Sequence, residues 1–411
     1  MSVRPWATSL TAASAMVLLA GLAPAAHAQV PVAATECDPA TRQLVADPPP
    51  SLATLAAESA WSIATGAGVL VAVVDSGVDT RNDHLSAAVV PGADLVGRDV
   101  EDSGRTDTDG HGTAVAGQIA ARPVDGSGLV GLARDATILP VRVFYGQDDE
   151  AKRDGTSVQT DRIAAGITYA VAHGATIVNV SLSSSTDDPA LRAAVADATA
   201  AGALVVASAG NRAADPDAPD GPRYPAAYPG VLGVTATDAD GHATDDSFHG
   251  PHVDVAAPGV NVLTTFHAAG DCMLAGGAAA SSWATAYVSA AAALVAERHP
   301  DESPAEWAFR LEVTAARDQP AERDDRLGWG VVRPTEALLF VDDGSAPGPD
   351  SPTHARPVVP AVPAAALDTS VKPSPLAGVR SDVVWWVLAG VTGVLLVVLA
   401  ARLAGYRGRR R

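Results

Sequence analysis

Lysine is almost missing from this chain of 411 residues: Lys152 and Lys372 are the only two, and arginine carries the rest of the positive charge. Acidic residues outnumber the basic ones, and the formal net charge is −19. That excludes nucleic acid as a partner, because a phosphate backbone needs a basic surface. Charge of either sign is scarce, 18% of residues against 47% hydrophobic. Such a composition excludes global disorder and leaves ample material for a core. Cysteine is as rare as lysine, with only Cys37 and Cys272. No internal repeat is found, and the length suits one large domain or two ordinary ones.

What is present begins with an export signal over 1–28. Arg4 precedes a short apolar run, Ala15 to Leu22, and Ala26-His27-Ala28 forms a small-x-small cleavage site before Gln29. At the other end, Val383 to Ala401 holds no charge over 19 residues, about 28 Å as a helix and close to the hydrocarbon thickness of a bilayer. Trp385 and Trp386 lie at one border, and Arg402, Arg407, Arg409, Arg410 and Arg411 follow the other. An aromatic belt outside and arginines inside predict a single transmembrane helix over 383–403 with a basic cytoplasmic tail, 404–411. Residues 342–382 are proline-rich without hydrophobic periodicity, the signature of an extended linker. The folded part is thus expected outside the cell membrane. In that oxidising location Cys37 and Cys272 read as one disulfide tying the extension 29–60 to the body; two free thiols are the other reading.

The body, 61–341, alternates apolar runs with helical patterns. "GVLVAVVD" (68–75), "ATILPVRVF" (136–144), "ATIVNVSLS" (175–183), "ALVVASAGN" (203–211), "VLGVTATD" (231–238) and "HVDVAAPG" (252–259) read as strands. Helices are expected at 113–121, 160–174 and 189–202. Strands that are apolar throughout, separated by helices, predict an α/β fold with a parallel central sheet covered on both faces. Active groups then belong at strand ends and in the loops that follow them.

Four stretches supply such groups. Asp75 ends the first strand in "VAVVDSGVD", His111 sits in "DTDGHGTAVAG", Asn211 ends "VVASAGN", and Ser282 opens "ASSWATAYVSA". Acyl transfer by a serine needs a hydroxyl, a histidine to take its proton and a carboxylate to orient the histidine. It also needs donors for the oxyanion, which an asparagine amide and the serine N–H can provide. Singly, each residue has a plainer reading: a turn aspartate, a surface histidine, a turn asparagine, and a serine that caps an alanine-rich helix. Those plain readings predict no order and no shared sequence context.

The four motifs, in the order Asp, His, Asn, Ser, resemble those of the subtilisin-like serine proteases. The resemblance runs from about residue 61 to 341 and closes on "GWGVVRPTEAL". It implies a subtilisin-like fold, endopeptidase activity with a triad of Asp75, His111 and Ser282, and Asn211 in the oxyanion hole. The register of "WAT" and Val288 selects Ser282 over Ser281. By the same resemblance, "VNVSLSS" borders the primary specificity pocket, with Ser181, Leu182, Ser183 and Ser184 lining it and an extended peptide or protein substrate pairing there; a plain core strand is the other reading. Signal, extension, body, linker and single span together resemble the mycosins, subtilases of actinobacteria associated with type VII secretion. That implies a type VII secretion membrane complex as partner. No cofactor or metal is implied: the acidic stretches 148–154 and 215–223 lack EF-hand spacing. Ala280 and Ala286 stand where the family has glycine and proline. If the glycine position demands positive φ, alanine there strains the serine loop. That strain is the basis of a competing reading, a stalked scaffold that keeps the fold without catalysis.

Overall fold

The computed structural model describes residues 37–97, 103–356 and 376–407. The export signal, residues 357–375 of the linker and the last four residues of the tail lie outside them. The helices are α1 (Pro50–Thr54), α2 (Ala57–Trp61), α3 (His111–Ala120), α4 (Asp149–Arg153), α5 (Thr160–Ala172), α6 (Pro189–Ala200), α7 (Ser281–Arg298), α8 (Pro304–Val313), α9 (Pro334–Leu339) and α10 (Ala377–Arg407). The strands are β1 (Leu70–Asp75), β2 (Ala93–Asp94), β3 (Thr137–Arg142), β4 (Ile177–Val180), β5 (Leu204–Ser208), β6 (Val231–Thr237), β7 (Val255–Pro258), β8 (Val262–Thr265) and β9 (Asp271–Leu274). The chain forms two units, one to Pro357 and one from Val358.

In the first unit seven strands make one parallel sheet in the order β2-β3-β1-β4-β5-β6-β7. Alternate residues of β1 enter two different cores, because a strand's side chains point to opposite faces. Val71 and Val73 join Val115, Ile119 and the α7 residues Val288 and Val295 on one face. Ala72 and Val74 join Ile163, Ile167, Leu191 and Val195 of α5 and α6 on the other. Hence β1, β5, β6 and β7 are largely apolar on both faces, as a sheet covered twice requires. Helix α7 is buried on nearly all sides, which explains its run of alanines: close neighbours on every side leave little room. β1 pairs with β3 on one side and β4 on the other, so strand order reverses there. The carboxyl ends flanking such a reversal form a natural crevice.

The structure adds elements that the sequence pattern hid. β2 has two residues, too few for any periodicity. β8 and β9 form an antiparallel pair outside the main sheet. Helix α8 starts on a capping box of Ser303 and Glu306, a legible signal that the sequence reading passed over. The closing strand of "GWGVVRPTEAL" is reduced to single bridges of Val331 with Ala256 and Ala316.

The extension packs into the body. Gln43 bridges Gly270, while Leu52, Leu55, Ala57 and Ala60 of the α1–α2 region are buried in the core that holds α7. Asp271 gathers this corner. It accepts from the Val45 N–H at 2.8 Å and the Ser127 hydroxyl at 2.6 Å, and its other oxygen meets His84 Nε2 at 2.8 Å. Next to it, Cys272 is joined to Cys37 by a disulfide across 235 residues of sequence. Cutting so long a loop free enlarges the unfolded ensemble. Cys37→Ser is therefore expected to cost about 3–5 kcal/mol, read as a lower denaturation midpoint. An unchanged midpoint would mean that the backbone bonds of Gln43 and Val45 hold the extension unaided.

Past α9, residues 342–356 are not extended. The Asp342 carboxylate accepts from the Gly344 N–H and from the Ser351 hydroxyl, and Arg317 donates to the Pro347 carbonyl at 3.2 Å. The second unit contains α10, one continuous helix of 31 residues. Its stretch Gly378–Gly405 is long and apolar enough to cross a membrane, and it contains the segment 383–403 expected from the sequence.

Candidate active site

Asp75 is the last residue of β1 and fully buried. Its two oxygens lie 2.8 and 3.0 Å from His111 Nδ1. A carboxylate at Nδ1 fixes that nitrogen as the donor and leaves Nε2 as the basic one. His111 is the first residue of α3, whose opening turn is held by borrowed acceptors. Ser76 Oγ takes the Gly112 N–H at 2.9 Å, and Asp107 takes those of Gly110 and Thr113 at 2.9 Å each. Gly112 is required by close approach: a Cβ there would lie 2.2 Å from the Gly77 carbonyl oxygen and 3.1 Å from Asp75 Cβ.

The serine pair at the start of α7 divides its work. The N-cap is Ala280, and neither serine caps the helix through its side chain. Ser281 donates both its N–H and its hydroxyl to Asn211 Oδ1, at 2.7 and 2.8 Å, and meets Ser208 Oγ at 2.6 Å. An N–H can only donate, so the atom facing it must be the amide oxygen. Asn211 Nδ2 is then the free donor. Ser281 thereby orients the asparagine. Ser282 is 6% exposed, and its hydroxyl makes no hydrogen bond to His111 among the described residues. Next in the chain, Trp283 places its ring centroid 4.8 Å from that of His111, tilted by 37°. Among the described residues the imidazole is thus met by Asp75 and by the Trp283 ring, and no hydrogen bond joins it to Ser282.

A family model described as Peptidase_S8, Subtilase family, matches residues 66–330. The chain belongs to the subtilase family. It is a serine endopeptidase, 36% identical over 242 residues to thermitase of Thermoactinomyces vulgaris, covering 59% of this chain and 80% of that one. It is 34% identical over 363 residues to mycosin-1 of Mycobacterium tuberculosis (strain ATCC 25618 / H37Rv), covering 77% of this chain and 78% of the relative. The crystal structure of MycP1 from the ESX-1 type VII secretion system superposes with a TM-score of 0.64 at 30% identity, over 76% of this chain and 92% of that one.

Ala280 of this subtilase has φ −126° and ψ 128°, extended backbone open to any residue. The strain expected of an alanine in the serine loop is absent, and with it the ground for the scaffold reading. Ala286 is fully buried within α7, where its N–H is at home in a helix.

The predicted substrate segment mostly leaves the sheet, since β4 stops at Val180. Ser181 is 4% exposed and turned inward, donating to the Ser282 carbonyl at 2.9 Å. Leu182 is buried as well. Ser183 and Ser184 are half-buried, and Ser184 exchanges two 2.8 Å backbone bonds with Tyr224.

Burial by itself pulls the His111 imidazole down, but the Asp75 carboxylate, with Asp109 and Asp107 behind it, outweighs this and raises the pKa to about 8. Asp109 is pushed up to about 6, first by burial and then by the carboxylates of Asp107 and Asp75. A general base must be neutral to accept a proton. For this subtilase kcat/KM is therefore expected to rise with pH and reach half its plateau near pH 8. A half-point near the ordinary histidine value in a pH–rate profile would mean that Asp75 does not act on the imidazole.

Proposed function

We propose that Ser282 is the nucleophile, His111 the general base, Asp75 the group that orients it, and Asn211 Nδ2 with the Ser282 N–H the oxyanion donors. The Ser282 oxygen bonds to the peptide carbonyl carbon while its proton passes to His111 Nε2. The negative oxygen is received by the two N–H donors. His111 then gives the proton to the departing amine, and water repeats the sequence to release the acid. The observation that carries this reading is the Asp75–His111 contact at 2.8 Å, two residues of sequence-distant motifs meeting beside the start of α7.

The reading extends to location. The 383–403 segment anchors the chain in the membrane, with the protease outside and the basic tail in the cytoplasm. Similarity to mycosin-1 over 363 residues and to MycP1 of a type VII secretion system supports a role beside a secretion complex of that type. The test is a fluorophosphonate probe applied to the full chain in detergent, with the labelled residue mapped by mass spectrometry. Label on Ser282, lost in Ser282→Ala and His111→Ala, is expected. Label elsewhere, or none on folded protein, overturns the assignment.

A further inference from the structure

Close to Gly210 the fold buries a cation that has no salt bridge among the described residues; the carboxylates of Asp215 and Asp220 act on it only from a distance. Arg223 is 7% exposed, yet among the described residues its side chain makes one hydrogen bond only, from Nη2 to the Pro219 carbonyl at 3.5 Å. The acid nearest in sequence, Asp220, is engaged by Arg212 and sits 3.8 Å from His249. Burying a guanidinium this way costs free energy unless something replaces its water. Part of that is supplied by Phe248, whose ring centroid lies 3.5 Å from Arg223 Cζ. The rest of its donors have no protein partner, and none of its nitrogens is among the atoms both sealed and unpaired. They therefore reach accessible space.

Gly210 shows what packs against the arginine's stem. It has φ +91°, and a Cβ there would sit 2.8 Å from Ser183 Oγ, 3.1 Å from Phe248 Cδ2 and 3.2 Å from Arg223 Cγ. Only a glycine fits where the substrate-side serine, Phe248 and the arginine stem converge. Two connections tie this place to the chemistry. Gly210 precedes Asn211, which Ser281 orients. Arg223 precedes Tyr224, whose backbone pairs with Ser184 in both directions at 2.8 Å.

We propose that Arg223 forms the base of the pocket for the residue on the acyl side of the scissile bond and selects aspartate or glutamate there, with the Ser183 hydroxyl as a second donor. This rests on the catalytic assignment above. A carboxylate entering the pocket supplies the missing anion and accepts two parallel N–H donors from the guanidinium fork. An apolar side chain leaves those donors unpaired, and a lysine or arginine meets a like charge.

The test uses the full chain in detergent and internally quenched peptides that differ only in the residue before the scissile bond. Wild type is expected to show kcat/KM at least about tenfold higher for Glu or Asp than for Ala, and least for Lys and Arg. Arg223→Ala should erase the acidic preference, and Arg223→Glu should turn it toward Lys and Arg. Wild type that cleaves without acidic preference overturns the proposal, as does Arg223→Ala that keeps the preference. Fluorophosphonate labelling accompanies every variant; where Arg223→Ala is not labelled, Arg223→Gln keeps the bulk and removes the charge. Wild type that neither cleaves nor labels overturns the catalytic reading itself.

Discussion

Ser282→Ala is expected to lower kcat by roughly a million-fold, a magnitude taken from the subtilisin triad itself. The loss is that large because the three groups act as a unit: without the hydroxyl, a basic His111 and an oriented Asp75 have nothing to activate. Ser281→Ala provides the contrast. It removes one of two donors to Asn211 Oδ1 and leaves the Ser281 N–H in place. The oxyanion donor is loosened rather than lost, so the fall should be at most about a hundredfold. Single-turnover hydrolysis with both variants separates the serines. Equal losses, or a larger one at Ser281, would reverse their roles.

Asp75→Asn is expected to lower kcat about ten-thousandfold with the fold intact. An amide of the same shape can present an N–H to His111 Nδ1. The imidazole then carries its proton on Nε2, the nitrogen that must accept one. The electrostatic consequence has a definite sign. Asp75 is the main cause that lifts the His111 pKa to about 8, so its neutralisation should move the rise of the remaining activity to lower pH. Stability shifts in the matching direction. A folded-state pKa above the unfolded value contributes stability that is complete below about pH 6.5 and lost as pH rises through about 8. The cost of Asp75→Asn should therefore be greater at pH 6 than at pH 9, by on the order of 2 kcal/mol. A variant with an unmoved pH profile would assign the raised pKa to Asp109 and Asp107 instead.

These expectations rest on residues whose identity was legible in the chain and whose contacts were not. Asp75, His111, Asn211 and Ser282 could be picked out because their chemistry is carried by short local motifs. β1, β3, β4, β5, β6 and β7 were legible because both faces of the sheet are covered, which makes each strand a continuous apolar run. β2 and the β8–β9 pair were hidden, since two to four residues show no period. Their pairing partners, not their own composition, make them strands. Helix α10 needed only length and composition.

The partnerships within the site were decided by tertiary structure. Ser281 and Ser282 are neighbours of the same type; the register of "WAT" and Val288 ranks them, but their contacts are set by the fold. Their difference arises because α7 starts beneath the β5 loop, where Asn211 Oδ1 meets the Ser281 N–H. Trp283 marked a register in the sequence, and only folding sets its ring against His111. The cost expected of Ala280 depended on a φ that no composition reports, and the backbone there is extended. Arg223 is one arginine among many in the chain. Its isolation comes from Asp220 turning to Arg212 and from Phe248 lying beneath it. The fold class, the candidate reacting groups and the apolar C-terminal helix were legible in the chain, because periodicity, motif and length are local properties. That Ser281 bonds to Asn211, and that Arg223 has no salt bridge among the described residues, came from the tertiary structure, because hydrogen bonding and burial depend on groups far apart in the chain.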